Sequence, residues 1–118
     1  MRTRLIALVA VSMVVLGSAQ VALAAIPTTI TARYDTEVQH FKGRVKSDDA
    51  ECVGGRTVKL FKKTSDGPQL QGKDTTGTLG RWNIELMSAH GKYFAVTPRA
   101  ESMHGVCERA VSPIVDVM

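Results

Sequence analysis

The stretch Cys52-Val53-Gly54-Gly55-Arg56-Thr57-Val58-Lys59-Leu60-Phe61-Lys62-Lys63 decides the fold. From Thr57 to Lys62 the side chains alternate, with Val58 and Leu60 on one face and Lys59 and Phe61 on the other. That period of two is the mark of a half-buried β-strand. Gly54 and Gly55 supply the turn that leads into it. Cys52 anchors the turn covalently if it meets Cys107, the second of the chain's 2 cysteines.

The same alternation spreads outward from this strand. Downstream, Trp82, Ile84 and Leu86 share one face while Arg81, Asn83 and Glu85 share the other. Upstream, Phe41, Gly43 and Val45 face one way, and Lys42, Arg44 and Lys46 form a charged solvent face. Thr28 to Tyr34 is rich in β-branched residues and reads as a first strand. Tyr93-Phe94-Ala95-Val96 is apolar in both phases, as in a central strand covered on both sides. Gln69 to Gly72 and Lys73 to Thr78 read as short, polar strand segments. Val111 to Val117 closes the chain, with Pro113 marking an edge or bulge. Turn signals separate these runs: Ser47 to Glu51, Thr64-Ser65-Asp66-Gly67-Pro68, Leu79-Gly80, Ser88 to Gly91, and a loop over Arg99 to Gly105. No span keeps a helical period. The sequence predicts an all-β domain, an Ig-like or prealbumin-like antiparallel β-sandwich of about seven or eight short strands with one disulfide. Its core is expected to hold Val45, Val58, Leu60, Trp82 and Ile84.

The first residues read as a targeting segment. Arg2 and Arg4 give a positive start, Leu5 to Leu16 is apolar apart from Ser12, and Ala22 and Ala24 fit a small-x-small cleavage rule. Residues 1–24 are therefore expected to be a cleaved secretory signal peptide, with a single domain over residues 25–118. No second apolar stretch follows, so no transmembrane segment is expected after cleavage. Two cysteines in an exported chain allow one intramolecular pair, and an oxidising compartment preserves it. No Cys-x-x-Cys occurs, and His104 three residues before Cys107 does not make a tetrahedral metal site by itself.

Charge narrows the partners. The 15 basic and 11 acidic residues, less Arg2 and Arg4, leave a mature charge of about +2. Nucleic-acid binding is not expected, because no basic stripe runs beside aromatic platforms. The acidic turn Asp48-Asp49-Ala50-Glu51 lacks the ligand spacing and turn glycine of a calcium loop, and reads as a solvated turn. Ser65, Ser102 and His104 offer a nucleophile and a base, but no Gly-x-Ser-x-Gly elbow positions them. No catalytic, cofactor-binding or metal residues are assigned, and no cofactor is expected.

Four segments taken in order carry a resemblance: Gly43-Arg44-Val45, then Gly55-Arg56-Thr57-Val58-Lys59-Leu60, then Asp74 to Trp82, then Gly91-Lys92-Tyr93. Over Phe41 to Val96 the chain resembles the carboxypeptidase regulatory-like, or transthyretin-like, β-sandwich family. The likeness implies a sandwich in which each turn glycine makes a corner and the next aromatic drops between the sheets. Tyr93, two residues after Gly91, is similar to a tyrosine corner, whose hydroxyl ties back to nearby backbone. The chain departs from the family in its cysteine pair. Related pilin and adhesin modules can carry an isopeptide bond, and Lys42 or Lys46, Glu85 and Asp116 are the residues of that kind here, without the glutamate-proline-glycine-tyrosine context. The hormone-binding and hydrolase features of transthyretin relatives find no match. The resemblance implies an accessory, interaction or stability module.

The expected function is a secreted, extracellular β-sandwich module with a non-catalytic binding or structural role. Its partner would be an extracellular or envelope protein or polysaccharide, met by the loops Asp48 to Gly55, Thr64 to Gly72 and Arg99 to Gly105 at one end. A strand added to a free edge near Pro113 or Gln69 is a further mode. The alternative is an extracellular hydrolase, or an accessory subunit of a secreted enzyme.

Overall fold

A computed structural model describes residues 24–118, and the signal segment read over residues 1–24 lies outside the described residues except for Ala24. In chain order the strands are β1 (Ala25–Ile26), β2 (Thr28–Ile30), β3 (Arg33–Asp35), β4 (His40–Ser47), β5 (Thr57–Thr64), β6 (Gly67–Thr75), β7 (Arg81–Glu85), β8 (Gly91–Thr97), β9 (Ala100–Ser102), β10 (Gly105–Cys107), β11 (Ala110–Val111) and β12 (Val115–Val117). One sheet is centred on β4, with β2 and then β3 along one side and β7 along the other. The second runs β6, β5, β8, with β11 and then β12 along the outer side of β8. All pairs in these two sheets are antiparallel. With β2/β3 and β11/β12 each counted as one interrupted strand, the sandwich has the strand number expected. It is an Ig-like β-sandwich. No helix among the described residues is long and apolar enough to cross a membrane.

The inward phase of each strand builds the core. Val45, Val58, Leu60, Trp82 and Ile84 are all buried, as the alternation predicts, together with Ile30, Phe41, Tyr93 and Ala95. The Phe41 ring lies between two tyrosines, edge-on to Tyr34 at 4.6 Å and tilted against Tyr93 at 4.7 Å. Such aromatic pairs add to simple area burial. The Tyr93 hydroxyl accepts from the His90 amide at 3.0 Å and donates to the His90 carbonyl at 3.1 Å. That is the corner expected from Gly91-Lys92-Tyr93.

Four segments differ from their sequence reading. The first strand breaks at Thr31 and Ala32: Thr31 donates its amide to Arg44, while its carbonyl accepts the Trp82 indole N–H at 3.2 Å. Gly43 lies beneath this contact, where a Cβ would overlap the Thr31 carbonyl. The two weak segments after Gly67 are one continuous strand, β6, bent by a bulge where Leu60 faces Gly72 and Phe61 faces Leu70. The loop after Arg99 is the hairpin β9–β10, which pairs in parallel with β1 as a small third sheet. Strand β8 is central, but Phe94 on its outer side is only half-buried.

At the end of the sandwich that carries this third sheet, Cys52 and Cys107 form a disulfide, with 5.4 Å between their Cα atoms. Cys52 ends a 3-10 turn, Ala50–Cys52, capped by the Asp49 carboxylate. Beside it lies Arg56, a residue the sequence presents only as the flank of a strand. Its side chain is buried, and its guanidinium donates to the carbonyls of Cys52 (2.9 Å), Pro98 (2.9 Å) and Glu108 (3.0 Å) and to the Thr28 hydroxyl (3.3 Å). The Arg56 amide and carbonyl both bond Thr76, itself buried.

The disulfide closes a loop of sequence separation 55, worth about 4 kcal/mol in the chain-entropy description. Reduction, or Cys52→Ser with Cys107→Ser, should lower the melting temperature by about 10 °C or more, and the native intact mass should lie two hydrogens below the reduced form. An unchanged melt would contradict the staple. Arg56→Met should cost about 3 kcal/mol or more in denaturant unfolding, because three carbonyls lose a charged donor in a buried site. A loss under about 1 kcal/mol would mean that water replaces the guanidinium freely.

Candidate functional site

Because Phe41, Gly43 and Val45 face the core, Lys42, Arg44 and Lys46 must point outward from β4. The neighbouring strands add to them. Register places Arg33 of β3 opposite Lys42, and Arg81 of β7 opposite Arg44. The burial of Trp82 and Ile84 in turn sets Arg81, Asn83 and Glu85 outward. The result is an open concavity of about 570 Å³ on the outer face of this sheet. Arg33, Lys42, Arg44 and Arg81 line it, with Asn83 and Asp74 at the β7 edge and Ala32, Gly43 and Trp82 between them.

Few of these cations are neutralised. Lys42 pairs with Asp35 at 2.7 Å. Among the described residues, Arg33, Arg44 and Arg81 have no carboxylate within 4.0 Å. Arg44 donates instead to the Leu79 carbonyl at 3.3 Å. Asp74 is occupied by backbone, accepting from the Asn83 amide at 2.7 Å and the Thr75 amide at 2.8 Å. Three guanidiniums with unspent donors around one hollow have the chemistry that oxyanions use, since the planar fork matches a carboxylate or sulfate in two-point geometry.

The loops expected to bind do not gather at one end. Asp48 to Gly55 and Arg99 to Gly105 do meet, through His104, whose Nδ1 lies 2.8 Å from Asp49, beside the disulfide from Cys52 to Cys107. The Thr64–Gly67 turn closes the opposite end, where Gly91 approaches Lys62. Ser102 and His104 do not form a nucleophile–base pair. The Ser102 hydroxyl donates to the Gly105 carbonyl at 3.1 Å, while the imidazole faces Asp49. In the acidic turn, Asp49 accepts from the Glu51 amide, and no group of three or more possible metal ligands occurs among the described residues.

The outer face of the second sheet has a different chemistry. Phe61 and Phe94 stack across β5 and β8 at 5.5 Å. Register sets Leu70 beside Phe61, and Val111 beside Val96. Leu70 and Val111 are about half exposed. Lys59, Lys63, Lys73 and Lys92 stand around this apolar row on the same strands.

Fold and site together define a small disulfide-linked Ig-like β-sandwich with a cationic, concave sheet face. Neither a protein-family model nor a curated protein sequence matches the chain. Among solved structures, an Fn3-like protein from Clostridium thermocellum is similar over 82% of this chain and 97% of that one, at 16% identity and a TM-score of 0.47.

Two carboxylates give the molecule a pH signature. The Lys42 ammonium, followed by the Glu37 amide, holds Asp35 below the usual carboxylate range, and the Glu51 amide, followed by His104, does the same for Asp49. A depressed folded-state pKa stabilises above the unfolded value and loses that contribution as pH falls through the folded one. Stability should therefore fall below about pH 4, and the fall should be shallower in Asp35→Asn with Asp49→Asn. Equal acid limbs in urea melts of both proteins would contradict it.

Proposed function

We propose that this protein is an exported, non-catalytic binding module whose β2/β3–β4–β7 face takes an anionic ligand. The observation that carries the reading is the concavity lined by Arg33, Lys42, Arg44 and Arg81, in which three guanidiniums lack a carboxylate partner among the described residues. Export is supported by the charged, apolar and small-residue pattern of residues 1–24 and by the disulfide, which oxidising compartments preserve. The finer family reading, a carboxypeptidase regulatory-like or transthyretin-like module, is supported by the order of its glycine and aromatic segments and by the Tyr93 corner. A non-catalytic role is supported by the Ser102 hydroxyl, which donates to the Gly105 carbonyl and not to the His104 ring, itself turned to Asp49.

A second reading, an accessory subunit of a secreted enzyme, is favoured by the Phe61–Phe94 row on the opposite face. Apolar residues ringed by lysines suit a partner with an acidic rim. It requires that native protein co-migrate with an enzyme in size-exclusion chromatography, and that Phe61→Ser with Phe94→Ser abolish the complex.

The anion reading is tested by amide chemical shifts during titration with sulfate and with glucuronate. Shifts should concentrate on Arg33, Gly43, Arg44 and Asn83 and vanish in Arg44→Glu with Arg81→Glu. That variant should unfold within about 0.5 kcal/mol of the parent, since both side chains are at the surface. Shifts scattered over the molecule, or none, would defeat the reading.

A further inference from the structure

The cations on β4 extend past the concavity. Lys42, Arg44 and Lys46 alternate along one strand, so their Cα atoms stand about 7 Å apart and the row spans about 13 Å. Arg33 widens the row beside Lys42, and Arg81 widens it beside Arg44. Lys46 lies opposite Thr29, outside the hollow, with no carboxylate within 4.0 Å among the described residues. The row ends at His40, where Asp35 and Glu85 flank β4 from either side. A small anion meets one pair of these cations. Only a chain with charges repeated along its length meets them all.

We infer that the ligand is a linear acidic polysaccharide, bearing carboxylate or sulfate groups, laid along β4 from Lys46 to Lys42. The inference rests on the anion-binding reading above and names its substrate class. Three features select this polymer. The face exposes no aromatic ring: Phe41 and Trp82 are buried, and Tyr34 turns inward to donate its hydroxyl to the Leu86 carbonyl at 3.0 Å. Nucleobases would have nothing to stack on. Asn83 lines the same hollow, and its side-chain amide offers the paired donor and acceptor that sugar hydroxyls use. Arginine outnumbers lysine there, and its fork reads a planar carboxylate or a sulfate edge better than an ammonium does.

The test uses the purified protein and three families of probe: oligogalacturonates of increasing length, heparin oligosaccharides of increasing length, and single-stranded DNA of matched charge, with neutral dextran as a blank. Isothermal titration should give affinity that rises with oligosaccharide length and then levels off once the row is covered. The logarithm of the binding constant should fall with the logarithm of salt at a slope of about three to four, if four or five cations release counterions. Lys46→Glu is the discriminating variant, because Lys46 is exposed and lies outside the hollow. It should weaken the longer oligosaccharides by about 3- to 10-fold and leave glucuronate and sulfate shifts unchanged. Galacturonate-specific or heparin-specific binding would each support the inference and tell carboxylate from sulfate.

Four results would overturn it. If a single uronate bound as tightly as the long oligomers, the site would be a small-anion pocket, and the anion reading would stand without the polymer. Unaltered polymer affinity in Lys46→Glu would say the same. DNA binding at least as tight as the matched polysaccharide would make the row a phosphate reader. Silence from every probe, small anions included, would remove both this inference and the reading beneath it.

Discussion

A guanidinium buried without a carboxylate holds the end of this molecule together. Arg56 sits where β2, the 3-10 turn, the exit from β8 and the segment after β10 converge, and it donates to all four. Burial opposes its charge and lowers its pKa, yet an arginine stays protonated in a protein interior. The charge must therefore be met by oxygen, and three backbone carbonyls and one hydroxyl meet it. Lysine could not do this, because a single ammonium has three donors on one point, while the arginine fork spreads five donors over a plane. Only Nε is left without a partner. The disulfide acts at the same place by another route. It limits the unfolded chain, whereas Arg56 fixes how Cys52 and the residue after Cys107 lie once the chain has folded.

The same demand that each buried polar group find a partner shapes the cationic face. Where the first strand breaks, the Thr31 carbonyl loses its place in the ladder and turns inward. The Trp82 indole N–H satisfies it, and Gly43 leaves the space for that approach. The break thus sits directly behind the concavity, and Thr31, Ala32, Gly43 and Trp82 belong to both. The alternation of a strand does the rest. With Trp82 and Ile84 committed to the core, Arg81 and Asn83 have nowhere to go but the outer face. Core packing and site construction are one arrangement seen from two sides of a sheet.

This explains what could be read in the sequence. The strands at Thr57–Thr64 and Arg81–Glu85 are legible because the period of two is local, and so are their buried faces. The glycine-tyrosine corner is legible for the same reason. The site was read only in part: Lys42, Arg44 and Lys46 present one charged strand face, and a single such face is most simply a solvated one. That Arg33 stands beside them depends on the register of the β3–β4 hairpin, and that Arg81 does depends on pairing with a strand far along the chain; periodicity carries no register. Arg56 was missed on similar grounds, since Pro98 and Glu108, which bury it, arrive from 42 and 52 residues away. The hairpin β9–β10 looked like a loop because Glu101, Ser102 and His104 are polar, and its pairing with β1 depends on the amino-terminal end of the domain.

The edges of the sandwich favour the proposal that a ligand meets its faces. Strand β6 is long and open along one side, the position where a partner strand would add. It carries Pro68, which lacks an amide donor, Lys73, and a bulge that leaves Gln71 unmatched between Leu70 and Gly72. These are the features by which natural sheets blunt a free edge. At the other side, Pro113 separates β11 from β12 and leaves two pieces too short to template a strand. At the ends, the disulfide and Arg56 tie down one set of loops, and a tight turn closes the other. What stays open are two sheet faces of unlike chemistry, one cationic and concave, one apolar and ringed by lysine. The concave face has unspent guanidinium donors, and unspent charged donors at a surface hollow are what an anionic ligand exploits.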